Sequence, residues 1–547
     1  MTVEATLPLG APPAWAVLER RLFDLLDQAV EPFLERYTRP DGALIWRERL
    51  PAPTRDGADD FYEAFYNWPL LYLLGGGDAL LPLALRQWEA VTRQLTDLGL
   101  LQDEYERGYD QFHQSESYTY FYFLCLADPT NPRLVERAGR FADLYLAEPN
   151  YDALKRLIRA PHNGSGGPRW GFMDGEPSMP YRPGSARYGL PYDDVPGVAS
   201  FDDLKDPALA VRMGQAMHAR MGRGDVAANL GVTSLVANAY LLTGDERYRR
   251  WVIDYVDAWV ERARANGGLL PDNVGLSGRV GEYLDGKWYG GLYGWSYPHG
   301  FYNLAMAAQV AAAGALLLTR DPGYLDLPRA QIDRLMALGR LDDPRRSEMS
   351  LREHWVGQLG ALADGDQTFL VPYRHGDHGW FDFQPLSPIY PAALWNLSRD
   401  EADWARIEAL RRRERYDWRA VRTFRTKEDA GTSSRGCASL PAGTRPTPSG
   451  SWPQASSRSP GGSTRSAPIA PIRRQSASTT GSSSTRSRPR RWCSSRSAHR
   501  STSTMAVCCT RRYATTTPSA AGRVCRPTWP LWSAAPTGPA ARSSSST

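Results

Sequence analysis

Along residues 247–264, Tyr248, Val252, Tyr255, Val256, Trp259 and Val260 fall on one stripe, with Arg249, Arg250, Asp254, Asp257 and Glu261 off it. That spacing predicts an amphipathic surface helix. Residues 301–318 are apolar nearly all round, which predicts a helix enclosed by other helices. The two kinds alternate, and a short connector recurs between them: LLGGGDALL from Leu73, CLADPTNPRL from Cys125, LLTGDERY from Leu241, LLTRDPGY from Leu317 and NLSRDEAD from Asn396. In each, an apolar helix ends, a turn carries Asp, and a charged helix follows. Asp near a helix start accepts backbone N–H bonds and suits the positive end of the dipole. Recurrence in one context marks an internal repeat. Inner helices are predicted at about 58–74, 113–127, 225–242, 299–318 and 387–398, and outer ones at about 13–37, 78–97, 131–147, 246–265, 323–339 and 400–414, with an extra helix near 207–222.

The connections at the other end are long: roughly 99–112, 149–207, 267–298 and 341–385. Long loops in a compact domain carry function, so a site is expected there. The first turns of the inner helices are polar. Glu63 and Asn67, Asp225 and Asn229, and His299 and Asn303 are each four apart, and His113 and Glu116 are three apart, with Ser117 next. Residues so spaced share a helix face, which predicts a lined cavity. The loop EYERGYDQFHQSE adds Glu104, Glu106 and Asp110. Cleavage of a glycosidic bond uses two carboxyls, and Asp225 with Asp110 or Glu116 could form that pair, assisted by His113 and His299.

The loop from residue 267 to residue 300 is rich in Gly and carries Trp288, Tyr289, Tyr293, Trp295, Tyr297 and His299. Aromatic faces stack on sugar C–H faces, and Gly allows close backbone approach. Residues 160–196 add His162, Asn163, Arg169, Trp170, Arg182, Arg187 and Asp193. With Lys287, these arginines suggest recognition of a uronic-acid carboxylate. In VPYRHGDHGWFDF, His375, Asp377 and His378 lack a fourth ligand and any paired-Cys or HExxH context, so no metal is expected. His375 is read instead as substrate-facing, with Trp380 and Phe381 stacking. No GxSxG elbow or phosphate loop occurs, and no cofactor is expected.

Charge divides the 547-residue chain. From Ala430 onward there are seventeen arginines and no lysine, aspartate or glutamate. Residues 1–429 therefore carry 48 basic against 60 acidic side chains. So acidic a body excludes general nucleic-acid binding. The Ser/Arg/Pro-rich tail 430–547 cannot bury enough apolar surface to order itself, which predicts disorder. Its abrupt loss of acids, with scattered Trp492, Cys508, Cys509 and Trp529, reads as an out-of-frame stretch that would truncate the catalytic domain. No apolar run reaches the ~20 residues of a membrane helix, and the N-terminus has no signal-peptide pattern. A lone body cysteine, Cys125, fits a reducing, cytoplasmic setting.

Alternating inner and outer helices, recurring connectors and aromatic-rich long loops resemble the (α/α)6 toroid of the six-hairpin glycosidases over about residues 12–415. The fold expected from that resemblance is an all-α (α/α)6 toroid with the disordered tail appended. The function it implies is carbohydrate chemistry, foremost a glycoside hydrolase acting on a uronic-acid-containing or related saccharide. Toroid polysaccharide lyases and N-acylglucosamine-2-epimerase-like isomerases are the alternatives; for the isomerase, His299 and His375 would move the proton. The expected catalytic set is Asp225, Asp110, Glu116, His113 and His299. The expected substrate contacts are Asn67, Asn163, Arg182, Asn229, Trp288, Tyr289, Trp295, Asn303, His375 and Trp380.

Overall fold

Helices dominate the computed structural model, which describes residues 10–45, 58–170, 189–350, 355, 359 and 362–414. The predicted tail at 430–547, and Arg182 and Arg187, lie outside the described residues. In chain order the helices are α1 (Ala14–Tyr37), α2 (Asp59–Glu63), α3 (Asn67–Leu73), α4 (Leu80–Asp97), α5 (Gln111–Ala127), α6 (Pro132–Asp143), α7 (Pro207–Met221), α8 (Val232–Thr243), α9 (Glu246–Ala265), α10 (Phe301–Thr319), α11 (Asp326–Leu338), α12 (Ile389–Ser398) and α13 (Glu401–Arg413).

The repeat is visible in the packing. Each charged helix wedges between the apolar helix before it and the one after it. Thus α4 lies on α3 and α5, α6 on α5 and α8, α9 on α8 and α10, and α11 on α10 and α12, while α13 lies on α12. Helix α10 is long and apolar enough to cross a membrane, but here its sides are mostly buried against α8, α9, α11 and α12. The connectors act through their caps. Asp245 accepts from Arg247 N at the start of α9, and Asp400 from Ala402 N at the start of α13. Asp321 accepts from Gly323 N, opening the short turn before α11. In the CLADPTNPRL copy Asn131 takes the cap, accepting from Arg133 N, and Asp128 braces Asn131. A lost cap of this kind costs about 1 kcal/mol.

Two inner helices differ from expectation. The predicted helix 58–74 is broken into α2 and α3, so Glu63 and Asn67 do not share one continuous face. The segment before α8 is a tight 3-10 turn (Ala227–Gly231) rather than α-helix. The long connections also contain strands. Short hairpins pair β1 (Leu101–Gln102) with β2 (Tyr105–Glu106), and β3 (Tyr151–Asp152) with β4 (Leu157–Ile158). The expected loop 341–385 instead holds an antiparallel sheet of β5 (Arg340–Asp342), β6 (Thr368–Gly376) and β7 (Gly379–Gln384) in that order. It packs beside α10: a Cβ on Gly300 would stand 1.9 Å from Tyr373 O, so only glycine admits the contact. Around α7, Met213, Met217 and Met221 join Tyr192, Tyr293 and Tyr297 in a second apolar cluster, so the extra helix is an insert packed under the Gly-rich loop.

Candidate functional site

Hairpin β1–β2 delivers the chain to Asp110, which caps α5 with Oδ1 accepting from Phe112 N (3.0 Å) and His113 N (3.2 Å). Its other oxygen lies 2.6 Å from His113 Nδ1 and accepts from the Tyr293 hydroxyl at 2.8 Å. Asp110 is 1% exposed. Burial pushes its carboxyl up, but the His113 imidazole, His162 and the Tyr293 hydroxyl outweigh that and hold it well below the usual carboxylate range. An ionised buried carboxylate on Nδ1 fixes the orientation of the ring. His113, Glu116, Phe112, Tyr293, Tyr302, Asn303 and Met306 line one tight cavity of about 10 Å³, room for a single water at most. Asn303 is 3% exposed, and its Nδ2 has no hydrogen-bond partner among the described residues. His299 is buried one turn ahead of it, its ring 5.6 Å from Tyr302.

Two further acids belong to this region. Asp59, at the start of α2, is buried, and burial together with the charge of Glu116 and a hydrogen bond to it raises its carboxyl well above the usual range. Asp59 and Glu116 therefore form one hydrogen-bonded carboxyl pair in which Asp59 holds its proton more readily than a solvated aspartate does. Glu106 is 4% exposed and pushed up to about 8 by burial, against the lowering effect of His113. Glu106 and Asp110 thus sit four residues apart with opposite protonation states, the arrangement from which acid and base roles are built.

Other expected site residues are placed elsewhere. Asp225 is fully buried and does not line the cavity. Its oxygens accept from Tyr255 Oη (3.0 Å), Asn229 Nδ2 (2.9 Å) and Ile158 N (3.1 Å), with Arg262 Nη1 at 3.8 Å. Burial pushes its carboxyl up to about 6. Asn229 Oδ1 accepts from Asn163 Nδ2 (3.1 Å), and Asn163 Oδ1 from Gln111 Nε2 (2.6 Å). Asp225, Asn229 and Asn163 are therefore a buried strut from the α9 side to the first turn of α5, because each polar atom is taken by another. Asn67 is exposed and outside the cavity lining.

The aromatic loop also packs inward. Trp295 is fully buried, donating from Nε1 to Leu270 O at 2.8 Å. His375 is boxed by Tyr289, Trp380 and Trp288, with ring centroids 4.5, 4.8 and 4.9 Å away. Burial lowers its pKa against the nearby Asp377. The rings that were expected to meet sugar are largely occupied with one another. The loop glycines serve Asp272, which accepts from Gly290 N (3.0 Å), Gly291 N (2.9 Å) and Trp295 N (2.6 Å). A Cβ on Gly294 would meet Asp272 Oδ2 at 2.1 Å. This clamp holds Tyr293 at a left-handed φ of 56° with its hydroxyl on Asp110. A non-glycine residue so held is strained by roughly 1–3 kcal/mol, a cost seen often at functional sites. Lys287, expected to read a uronate, is 2.7 Å from Asp377 Oδ2. Arg169 donates to Gly108 O at 3.4 Å.

Sequence reasoning missed Asp59 and Asp272 and left Glu106 as one loop acid among several. The DD pair opening α2 marked Asp59 only as an acid in a first helical turn, and nothing local pointed to Asp272.

Among solved structures, the chain is similar to cellobiose 2-epimerase from Bacillus thermoamylovorans B4167, at 10% identity and a TM-score of 0.38, over 72% of this chain and 87% of that one. It is also similar to cellobiose 2-epimerase from Spirochaeta thermophila DSM 6192, at 15% identity and a TM-score of 0.22, over 60% of this chain and 87% of that one. Scores this low leave the functional reading to the geometry of the site. No curated protein matches the sequence. Residues 2–444 match the family described as a Domain of unknown function (DUF8034), and the chain belongs to that family.

Proposed function

We propose that this chain is a carbohydrate-active enzyme of (α/α)6-toroid type that moves a proton beside a sugar carbonyl, as an isomerase or epimerase does. The observation that carries the reading is the buried 2.6 Å contact between Asp110 Oδ2 and His113 Nδ1 at the wall of the cavity. In this mechanism His113 takes the proton from the carbon next to the carbonyl of an opened sugar. That C–H bond breaks, and its electron pair moves into an enediolate. Glu116, hydrogen-bonded to Asp59, lines the same cavity and is the group that would complete the exchange. Tyr293 and Tyr302 wall the same cavity, and Asn303 Nδ2 is a donor aimed at it that would serve a hydroxyl or the enediolate oxygen.

Glycosidic cleavage fits the geometry less well. It needs two carboxyls held ~5–9.5 Å apart, one of them protonated. Asp110 is ionised and committed to His113 and Tyr293. Asp59 and Glu116 are hydrogen-bonded to each other and act as one unit. Asp225 is enclosed in its strut. The test is a panel of reducing sugars incubated in heavy water and followed by NMR and mass spectrometry. Deuterium entering an uncleaved sugar is the expected result. Release of a shorter sugar, or an unsaturated product absorbing in the near-ultraviolet, without exchange would replace this reading with hydrolysis or lyase chemistry.

A further inference from the structure

The alternation of inner and outer helices has two open ends. Outer helices α4, α6, α9 and α11 each lie on two inner ones, but α13 lies on α12 alone. At the other end α1 meets the α2–α3 segment, with Phe33 at 5.9 Å from Phe65 and 6.1 Å from Trp68 between ring centroids. The rest of its apolar side has no cover: Val17, Leu18, Leu22, Leu25 and Leu26 are 42–63% exposed. Inner helices α5 and α10 are buried along most of their length, whereas in α3 only Pro69 is buried, and Leu70, Leu71, Tyr72 and Leu73 are half-covered. No packing like that of α3 on α5 joins α3 to α12. An apolar helix side calls for a partner. The space between α12 and α3, beside α1, is that of one more inner helix.

The tail holds such a helix in another reading frame. Of its 118 residues from Ala430, 107 are Ala, Arg, Cys, Gly, Pro, Ser, Thr or Trp, against 203 of the 429 before it. These eight are the amino acids whose codons carry G or C as second base. A gene using 44 Arg to 4 Lys over its first 429 codons is G+C-rich, and such genes concentrate G and C at third bases. A second base so restricted is a third base read one place out of step, as loss of one base produces. Two of the three stop codons cannot occur in the displaced frame: TAA and TGA would each need a codon for Asn, Lys, Asp or Glu, and the tail has none.

The displaced frame is partly readable, because each true codon ends in the first two bases of the present one. Thr432 and Thr444, with codons beginning AC, become Tyr, His, Asn or Asp. Ser433, Ser434 and Ser439 become Phe, Leu, Ile or Val, or else Glu, Gln or Lys. Cys437 becomes Leu, Met or Val, Gly443 becomes Gly, Arg or Trp, and Pro446 becomes Ala, Pro, Ser or Thr. A polar opening, an apolar middle and a turn that admits Asp or Asn at 444 follow the order of each inner helix and its connector, as in LLTRDPGY.

We propose that codons 432–446, read with one base restored, encode a sixth inner helix and its connector. The helix seats between α12 and α3 against the exposed apolar side of α1, and its first turn brings the polar side chain of codon 432 to the long-loop end, where His113, Glu116 and Asn303 gather. This goes beyond the sugar-enzyme reading and does not depend on it. The experiment compares the 547-residue chain with one carrying a single base restored between codons 429 and 432, by hydrogen–deuterium exchange and thermal unfolding. Amides of α1 and α3 are expected to exchange at least ~tenfold more slowly in the restored chain. There, Leu22→Asp should lower the unfolding midpoint by roughly 2–4 °C or more, while Leu154→Asp, at a side chain 97% exposed, should leave it within about 1 °C. Equal exchange of α1 and α3 in the two chains would overturn the proposal. So would a Leu22→Asp effect no larger than that of Leu154→Asp, a measure that needs the restored chain alone, or a gene sequence that confirms the present frame across codons 429–432.

Discussion

His113 and His375 both stand at the long-loop end of the helices, and their surroundings are opposite. His113 is held through Nδ1 by a buried carboxylate and faces a cavity. His375 is half-buried among three aromatic rings, and burial disfavours its charged form. An imidazole held by an anion is poised to take and return a proton, whereas one packed among rings fills space. The difference shows that residue type and loop position do not identify the chemistry here; the partner of the second ring nitrogen does.

The comparison is broken most directly by exchanging its two members. His113→Ala should cut proton exchange by ~10³-fold or more, as for a lost acid–base group, and should also lower stability by roughly 3–5 kcal/mol because Asp110 loses its buried partner. His375→Ala should leave exchange within about threefold and lower stability by roughly 1–3 kcal/mol in a denaturant titration, as removal of a packed ring does. A His375→Ala enzyme as dead as His113→Ala would dissolve the distinction. Asp110→Asn should cost on the order of 10²–10⁴-fold, because an amide cannot hold the same tautomer; turnover equal to wild type would remove the carboxylate from the account. Tyr293→Phe should cost about tenfold, since it removes one of several bonds to Asp110, and the loss should appear in kcat more than in KM.

Glu106 sharpens the comparison through stability. Its folded pKa of about 8 lies above the ordinary value of 4.5, so the folded state retains a proton that the unfolded chain has released. Stability should therefore fall as pH rises from about 4.5 to about 8 and level off above. Glu106→Gln should be more stable than wild type at pH 8, by roughly 2–4 kcal/mol, and the difference should shrink toward pH 5. A difference that grows as pH falls would mean Glu106 is ionised in the fold.

Much of the helical scaffold was legible in the sequence, because three of the five connectors end an apolar stretch with the cap expected of them, from Asp245, Asp321 and Asp400, whereas Asn131 takes that place in a fourth and the helix after LLGGGDALL starts at Ala79 without a side-chain cap. The grouping of His113, Glu116 and Asn303 was legible too, since first turns of enclosed helices point to one basin. The sheet was not read, although Gly376-Asp377-His378-Gly379 between two apolar and aromatic runs carries a hairpin signal. Asp225 was misplaced because a polar residue ahead of a buried helix looks the same from sequence whether it faces a cavity or a tyrosine 30 residues on. The clamp of Asp272 on Trp295, 23 residues away, was likewise beyond any local pattern.

The most direct measurement is the rate at which deuterium from heavy water enters an uncleaved reducing sugar, with wild type, His113→Ala and His375→Ala run side by side. The proton-transfer account predicts incorporation by wild type and His375→Ala and none above background by His113→Ala. Incorporation undiminished in His113→Ala would contradict it.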